Sequence, residues 1–372
     1  MSGLYLHIPF CRKRCTYCDF HFSTTFENYR SSLISAMCKE LSLRAIEQTS
    51  PILTIYFGGG TPSILFDNEL KQIFDTIHAN YQVIPDAEIS FEVNPEDINE
   101  ASLLLWRSFG INRLSIGLQT FSDDDLRWMN RAHQVEDGLK GIRLAKACGF
   151  DNISVDLIYG LPGQSLAAWQ TSLTAVFNLN IQHLSAYCLT IEPKTALNHL
   201  VRKKRIQPAS EVLQSEQFLL LLEMAQANGL EQYEISNFSL PGFHSKHNSS
   251  YWNFQSYIGV GPSAHSFDGK ERRWNIRNNT RYTQLVGKSN EWFETEFLSE
   301  NECRNEQILL GLRTKWGLDL RSLSEPMTVK ESAQIEEFAR LNCLIQSGNS
   351  IILTEQGKLQ ADGIAAALFR LD

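Results

Sequence analysis

The sequence predicts an α/β protein: a closed or partial (β/α) barrel of six or seven strand–helix units, followed by a small, mainly helical C-terminal domain. Short β-branched or aromatic runs alternate with longer helical patterns, which is typical of a parallel sheet. No dinucleotide-type GxGxxG turn opens the series, which favours a barrel over a doubly wound sheet. The composition changes near Gly287, so we expect a barrel domain over residues 1–286 and a second domain over residues 287–372.

The strands and helices of the barrel are predicted from the change between two-residue and 3.6-residue periodicity. Strands are expected at Leu4–Ile8, Leu53–Phe57, Glu88–Val93, Arg113–Leu118, Ile153–Ile158 and His183–Leu189, with a further one near Tyr233–Ser236. Helices are expected around Tyr29–Ile46, Asn68–Asn80, Glu100–Phe109, Val135–Cys148, Leu166–Phe177 and Glu211–Asn228.

The C-terminal domain is acidic and has a winged-helix-like order of elements. Residues 290–372 hold 8 Lys or Arg against 14 Asp or Glu. A DNA-binding face requires basic residues, so we expect a lid or a partner-docking module instead. The predicted elements are helices at Asn305–Thr314, Leu318–Leu323 and Lys330–Leu341, a hairpin turning at residues 347–349, and a helix at Glu355–Phe369.

Composition and charge limit the class of protein. The chain has 372 residues, of which 43% are hydrophobic, and a formal net charge of −8, so nucleic acid is not an expected partner. Eight cysteines are too dilute for a disulfide scaffold and fit a reducing compartment. Neither a signal peptide nor an apolar run of membrane-spanning length is evident in the sequence. We therefore expect a cytoplasmic protein.

Three cysteines, Cys11, Cys15 and Cys18, follow the first predicted strand. Pro9 disfavours a helical conformation in the residue before it, so these cysteines are expected in a loop at the end of that strand. Spacings of four and three residues let a chain wrap one small centre, and an iron–sulfur cubane normally has four thiolate ligands. Because Phe20 stands where a fourth cysteine would follow, one iron of such a cluster would be open to another ligand.

Two other interpretations of the cysteines stay open at this point. A structural zinc needs four N or S ligands, and His7, Asp19 or His21 could complete the set. The cysteines could also be inert and buried. The basic run Arg12 to Arg14 is expected to favour thiolates and to offset the negative charge of a cluster, so the [4Fe-4S] interpretation is preferred.

Polar groups and glycines recur where successive strands end, and in a barrel the chemistry lies at the carboxyl ends of the strands. Each of them alone is weak evidence, since a Gly run is often only a flexible turn. Their appearance after successive strands favours one shared site. They are Gly58-Gly59-Gly60-Thr61-Pro62 after the second strand, Glu92 after the third, Gln119 after the fourth, Arg131 after the next helix, and Asp156 in the fifth.

Nearly the whole chain resembles the radical S-adenosylmethionine (SAM) proteins, within them the group that contains oxygen-independent coproporphyrinogen III oxidase (HemN) and the haem chaperone HemW. The resemblance is carried by YLHIPFC with CxxxCxxC, GGGTP, a Glu in an E-x-N-P turn, RLSIGLQTF, NR after the following helix, DLIYGLPGQ and GVGPSAHSF. The resemblance implies the fold of that family, a partial (β/α)6 barrel of the TIM type, in which SAM chelates the open iron of a [4Fe-4S] cluster. The implied chemistry is one-electron reduction of the sulfonium, which gives methionine and a 5′-deoxyadenosyl radical.

The resemblance also implies roles for individual residues. Cys11, Cys15 and Cys18 are the implied cluster ligands, and Tyr5 would line the SAM site. The implied SAM contacts are the Gly59, Gly60 and Thr61 backbone and Glu92, while Gln119, Arg131 and Asp156 match positions that contact a second SAM in the oxidases.

Two departures from the oxidases favour the chaperone side of the group. The oxidases carry a further cysteine at the position of Phe20, and they have an N-terminal extension before the first strand.

The segment Lys246–Trp252 also matches the HNxxYW signature that is associated with haem binding in HemW-like chaperones. It follows a Pro-Gly turn, so we expect it to begin in a loop that presents His247 as an axial haem ligand. A packed aromatic corner with a hydrogen-bonded His247 is the alternative, and His244 could compete for the ligand role.

We therefore expect a protein that binds a [4Fe-4S] cluster, SAM and haem, and that passes haem to a client. The alternative is an enzyme, an oxygen-independent coproporphyrinogen III oxidase (dehydrogenase) of porphyrin biosynthesis, and a third possibility is action on another tetrapyrrole. Whether the chain is an enzyme stays open, and no catalytic residue is assigned. The expected partners are haem or a related tetrapyrrole, a client protein that can be membrane-associated, and an electron donor for the cluster.

Overall fold

Six parallel strands form the centre of the molecule, and the structure, a computed structural model, describes residues 2–371. Neighbouring strands in the sequence are neighbours in the sheet, as the strand–helix alternation predicts. The strands are β1 Ser2–Ile8, β2 Ile52–Gly59, β3 Val83–Val93, β4 Arg113–Gln119, β5 Ile153–Tyr159 and β6 His183–Cys188.

The helices between these strands cover the outside of the sheet. Several begin at a serine or asparagine whose side chain accepts a backbone N–H of the first turn, as Ser165 does from Ala168 at 3.1 Å. The helices of this part are α1 Arg30–Arg44, α2 Asp67–Asn80, α3 Glu100–Ser108, α4 Asp123–Trp128, α5 Val135–Ala147, α6 Leu166–Phe177, α7 Ala196–Arg202 and α8 Glu211–Ala227.

Shorter strands extend the sheet at both edges, so the barrel is partial rather than closed. The order is β12-β11-β10-β9-β1-β2-β3-β4-β5-β6-β8-β7. The added strands are β7 Glu231–Glu234, β8 Asn237–Ser239, β9 Tyr257–Val260, β10 His265–Phe267, β11 Glu271–Asn275 and β12 Phe293–Phe297. Two helices lie among them, α9 Lys246–Trp252 and α10 Asn279–Leu285. The predicted partial (β/α) barrel is confirmed.

Residues after β12 form a smaller unit with its own apolar core, which includes Ile308, Leu344 and Ile351. Its three strands pair in the order β13-β15-β14. The elements are α11 Glu300–Leu312, β13 Leu318–Asp319, α12 Val329–Arg340, β14 Leu344–Ser347, β15 Ser350–Leu353, α13 Glu355–Lys358 and α14 Ala361–Ala367. The domain limits at residues 286 and 287 stay a prediction, and the main sheet continues to Phe297.

Three predicted elements are wrong in detail. The strand predicted near Tyr233–Ser236 is a hairpin of β7 and β8, because the chain turns between Glu234 and Asn237. The helix predicted at Leu318–Leu323 is β13 followed by one 3-10 turn, since Leu318 pairs with Ile351. The long helix predicted from Glu355 is broken into α13 and α14.

Alternation along the parallel strands separates an apolar outer layer from a polar interior. Leu4, Leu6 and Ile8 of β1 are fully buried in the core that packs against the helices. The residues between them, Tyr5 and His7, belong to the other face and contact polar groups inside the barrel. Within residues 2–371, no helix is both long enough and apolar enough to cross a membrane.

Candidate functional site

A cavity of about 830 Å³ lies at the carboxyl ends of the parallel strands. The loop that carries the cysteines forms one wall, and Arg313 with residues 358–363 forms another. The ends of β2 to β6 contribute the remaining surface. Ten of the twelve residues predicted for the site line this cavity: Cys11, Cys15, Cys18, Gly59, Gly60, Thr61, Glu92, Gln119, Arg131 and Asp156.

Backbone hydrogen bonds close the cysteine loop at its base. Ser23 N donates to Pro9 O at 2.9 Å, and Cys11 N donates to Ser23 O at 3.0 Å. The tip of the loop is held by the segment after α4, where Asn130 Nδ2 donates to Arg14 O at 2.8 Å. The loop therefore has a fixed position above the strand ends.

The Gly-rich turn after β2 packs against this loop. Gly60 N donates to Ile8 O at 2.9 Å, and Thr61 N donates to Phe10 O at 2.7 Å. A Cβ atom on Gly60 would lie 2.6 Å from the carbonyl oxygens of both Ile8 and Phe10. These two amides are therefore satisfied within the protein, and the SAM contact implied for this backbone stays a prediction. The glycines are needed for close approach of two backbone segments.

Two of the three sulfur atoms accept hydrogen bonds from neighbouring side chains. The Thr61 hydroxyl donates to Cys11 Sγ at 3.3 Å, and Arg131 Nη1 donates to Cys15 Sγ at 3.6 Å. Asn94 links the two donors, because it accepts from Arg131 Nη2 at 2.8 Å and donates to Thr61 Oγ1 at 3.3 Å. The sequence interpretation assigned no role to Asn94, although it belongs to the E-x-N-P motif.

Arg131 supplies positive charge next to the Cys11 and Cys18 sulfurs. Arg12 forms an ion pair with Asp97. Burial raises the pKa of the Cys11 thiol to about 12 and that of Cys18 to about 11. The expectation that residues 12–14 favour free thiolates is therefore wrong. Cluster binding has to displace the protons of these two thiols.

The two histidines considered as zinc ligands have other partners. His7 is hydrogen-bonded through Nδ1 to the Tyr5 hydroxyl at 3.1 Å and through Nε2 to His21 O at 2.8 Å. His21 Nε2 lies 2.7 Å from Asn279 Oδ1. Over residues 2–371, no group of three or more His, Cys, Asp or Glu side chains is close enough to hold a single metal ion.

Two carboxylic acids, Glu92 and Asp156, face the cavity from β3 and β5. Burial and the nearby Asp156 raise the pKa of Glu92 to about 7, although the Tyr56 hydroxyl donates to its Oε1 at 2.9 Å. Burial also raises the pKa of Asp156, which accepts from the Ser115 hydroxyl at 3.1 Å. Where these carboxyl groups are ionised, they create a negative potential that favours a cationic ligand.

The end of β4 has an unusual backbone. Gln119 has a φ of +70°, which is uncommon for a residue with a side chain, and the pairing of β4 with β5 shifts register between Ile116 and Gln119. Arg131 Nη2 donates to Gly117 O in this irregular segment at 2.8 Å. Backbone strain of this kind is often found at functional sites.

Tyr5 and His247, the other two predicted site residues, lie deeper in the barrel. Tyr5 stacks on Tyr56 and His247, with ring centroids 6.1 Å and 6.4 Å away. It belongs to the same inward face of β1 as His7 but lies two residues further from the strand end. Tyr5 is therefore not among the residues that line this cavity, and its implied place at the SAM site stays a prediction.

His247 is held at the amino ends of the strands. The segment Lys246–Trp252 is helix α9, and the expectation of a loop is wrong. The N–H groups of Lys246 and His247 both donate to the Glu88 carboxylate at 3.0 Å. Glu88 thus binds the positive end of the helix and holds it inside the barrel.

Both ring nitrogens of His247 are hydrogen-bonded. Nδ1 lies 2.8 Å from Thr54 Oγ1, and Nε2 lies 2.8 Å from the Tyr251 hydroxyl. The side chain is only 1% exposed, and burial lowers its pKa to about 3. This arrangement is the packed aromatic corner considered from the sequence. The role of His247 as an iron ligand stays a prediction, and it requires one of these hydrogen bonds to break.

Comparison with known proteins identifies the family. The model of the radical SAM superfamily matches residues 5–175, and the model of the HemN C-terminal domain matches residues 298–359. The chain is 33% identical to heme chaperone HemW of Bacillus subtilis over 99% of each chain. It is also 34% identical to the mitochondrial radical S-adenosyl methionine domain-containing protein 1 of Danio rerio, over 96% of this chain and 82% of that one.

A solved structure has the same fold. Coproporphyrinogen III oxidase (HemN) from Escherichia coli superposes with a TM-score of 0.85 at 23% identity, and the match covers 99% of this chain and 90% of that chain. The family assignment rests on the sequence similarity to HemW over nearly the full length of the chain, and the shared fold agrees with it. The chain belongs to the radical SAM superfamily and, within it, to the group that contains HemN and HemW.

Proposed function

We propose that this chain is a haem chaperone that binds a [4Fe-4S] cluster, SAM and haem and delivers haem to a client protein. The observation that carries the proposal is the 33% identity to heme chaperone HemW of Bacillus subtilis across 99% of both chains. Phe20, in place of the further cysteine of the oxidases, supports the same assignment. A cytoplasmic location and an electron donor for the cluster are parts of this proposal.

The cysteine loop fits a cubane cluster. Cys11, Cys15 and Cys18 would hold it, since all three line the cavity from one loop. Thr61 and Arg131 then provide hydrogen bonds to two ligating sulfurs, and the guanidinium offsets part of the negative charge. The fourth iron is left for SAM.

The acidic pair beside the cysteines fits the cationic sulfonium of SAM. Glu92 and Asp156 line the cavity and raise the local negative potential, which attracts a positively charged cofactor. When both groups are bound, the cluster supplies an electron to the sulfonium and the protein supplies the orientation. Tyr56 and Ser115 hold the two carboxyl groups in place through their hydroxyls.

We place haem in the cavity rather than against His247. A volume of about 830 Å³ is at the large end of the range for ligand pockets, and it continues from the cysteine loop to the C-terminal unit. His247, in contrast, is 1% exposed and has no free ring nitrogen in this conformation.

An anaerobic assay tests the function. The protein is reconstituted with iron and sulfide, then incubated with coproporphyrinogen III, SAM and a strong reductant, and separately titrated with haem. We expect haem binding with a stoichiometry of one and no protoporphyrinogen. Formation of protoporphyrinogen would show that the oxidase alternative is correct, and lack of haem binding by the wild-type protein would overturn the chaperone proposal.

A further inference from the structure

The cavity has two walls of different charge. The barrel and its cysteine loop contribute five acidic residues and two basic ones, whereas the C-terminal unit contributes two basic residues and one acidic residue. The cavity therefore has an acidic wall on the side of the barrel and a basic wall on the side of the C-terminal unit. The first set is Asp19, Glu92, Glu96, Asp156 and Glu192 with Lys13 and Arg131, and the second is Arg313 and Lys358 with Asp362.

Lys358, the last residue of α13, is hydrogen-bonded to a neutral group and not to a carboxylate, although Glu355 attracts its charge through space. Its Nζ donates to the neutral amide oxygen of Gln232 at 2.6 Å, and Gln232 is itself oriented by donating from Nε2 to Ile235 O at 2.9 Å. In the described part of the chain, no ion pair involves Lys358. Partial burial lowers the pKa of its ammonium. A half-buried lysine of this kind gains from a carboxylate that comes with a ligand.

Arg313 lies on the same wall, directly after α11. Its Nη1 donates to Asp362 at 2.7 Å, and its guanidinium stacks over Trp252 at 5.4 Å from the ring centroid. The Asp362 side chain is 77% exposed, so this ion pair is weak and easily exchanged. A guanidinium has five N–H donors, and a second carboxylate can be bound beside Asp362.

We propose that Lys358 and Arg313 form a subsite that binds the carboxylates of the cargo. The inference rests on the proposed function, since it identifies the cargo as a tetrapyrrole that carries propionate side chains. The difference in charge between the two walls then orients two ligands in one cavity. The acidic wall binds the cationic sulfonium of SAM, and the basic wall binds the propionates at the edge of the macrocycle.

The main alternative explanation is that Lys358 has a purely structural role. The lysine connects the C-terminal unit to β7 through Gln232, so its replacement could simply loosen the contact between the two parts. The carboxylate of SAM is a second possible occupant of a basic subsite. An experiment therefore has to separate the propionates of haem, the carboxylate of SAM and the packing of the domains.

The test compares ferric haem with its dimethyl ester, in which both propionates are neutral. Dissociation constants are measured by absorbance titration, at matched low detergent, for the cluster-loaded wild type, Lys358→Gln, Arg313→Gln and Lys330→Gln. Lys330 is exposed on α12, outside the cavity, and serves as the matched control. SAM affinity and the unfolding midpoint in urea are recorded for every variant.

We expect the wild type to bind haem at least tenfold more tightly than the ester. Lys358→Gln and Arg313→Gln should each weaken haem binding about tenfold, the effect of one charge-assisted hydrogen bond. Ester binding and SAM affinity should stay unchanged in these variants, and the Lys330→Gln control should behave like the wild type.

Equal affinity of the wild type for haem and ester, or an equal loss for both ligands in the variants, would overturn the subsite alone. Loss of SAM affinity would assign the subsite to SAM, and a wild type that binds neither porphyrin would overturn the proposed function together with the subsite.

Discussion

The Thr61 hydroxyl donates a hydrogen bond to Cys11 Sγ at 3.3 Å. Hydrogen bonds to ligating sulfurs raise the reduction potential of an iron–sulfur cluster, because they stabilise the extra electron. In Thr61→Val the methyl groups fill the same space but the donor is lost. We expect the potential of the reconstituted cluster to fall by about 40 mV, which corresponds to one hydrogen bond of about 1 kcal/mol.

The potential is measured by anaerobic titration with detection of the reduced cluster by electron paramagnetic resonance. Thr61→Ser keeps a hydroxyl and is the matched control, so its potential should stay near the wild-type value. If Thr61→Val and Thr61→Ser shift the potential equally, the hydrogen bond to Cys11 has no electronic effect.

Gly60→Ala is expected to prevent stable cluster assembly. A Cβ atom at this position would lie 2.6 Å from the carbonyl oxygens of Ile8 and Phe10, so the cysteine loop has to move away from the strand ends. Iron and sulfide content after reconstitution is the measurement, and we expect it to fall by more than half. Gly363→Ala is the control, since an added Cβ there meets nothing within 4 Å. Full iron content in Gly60→Ala would show that the loop tolerates the shift.

Glu92 is expected to lower the stability of the folded protein at neutral and alkaline pH. Its folded pKa is about 7 against an ordinary value of 4.5, so the folded state binds this proton more tightly than the unfolded state does. The protonated Glu92 therefore contributes favourably to the free energy of unfolding below pH 4.5. This contribution is lost as the pH rises through 7 and the buried carboxyl group becomes charged. Glu92→Gln should therefore raise the free energy of unfolding by about 1–3 kcal/mol at pH 8, and by much less at pH 5.

Urea unfolding at the two pH values tests this, and SAM titration of the cluster-loaded protein tests the functional side. We expect Glu92→Gln to bind SAM about tenfold more weakly above pH 7, where the wild-type carboxylate is charged. A variant that is stabilised equally at pH 5 and pH 8 would contradict the assigned cause.

Much of the fold could be predicted because local patterns determine it. The Leu166–Phe177 helix has the predicted limits, since Ser165 caps its first turn and its buried face is mainly apolar. Leu318–Leu323 could not be predicted, because two residues become a strand only through pairing with Ile351. Non-local pairing of this kind leaves no periodic signal in a short segment.

The cavity residues were predicted where they end strands, since carboxyl ends of parallel strands converge. What each atom contacts could not be predicted in the same way. The amides of Gly60 and Thr61 bind the cysteine loop, and Arg131 rather than Arg12 reaches a sulfur, because loop packing decides both. His247 was expected in a loop because Pro241-Gly242 precedes it, but Glu88, far away in sequence, holds it in a buried helix.

His247 is expected to stabilise the barrel in a pH-dependent way. Its folded pKa is about 3 and its ordinary value is 6.5, so the unfolded state takes up the proton more readily. The contribution of the neutral His247 to the free energy of unfolding is fully present above pH 6.5 and is lost as the pH falls toward 3. His247→Ala removes two hydrogen bonds and the stacking on Tyr56, and should cost about 2–4 kcal/mol at pH 8. In urea unfolding, the difference between variant and wild type should become smaller at pH 5.

A variant that remains folded separates the structural role of His247 from iron ligation. His247→Gln can still bond with Thr54 or Tyr251, so we expect a smaller loss of stability than in His247→Ala. If haem lies in the cavity, both folded variants bind it with wild-type affinity and the same absorbance spectrum, since the imidazole is not at the cavity wall. A fall of tenfold or more in haem affinity in folded His247→Gln, with a changed Soret band, would show that the imidazole ligates iron. Helix α9 would then have to leave Glu88 whenever haem binds, and the cavity would not be the haem site.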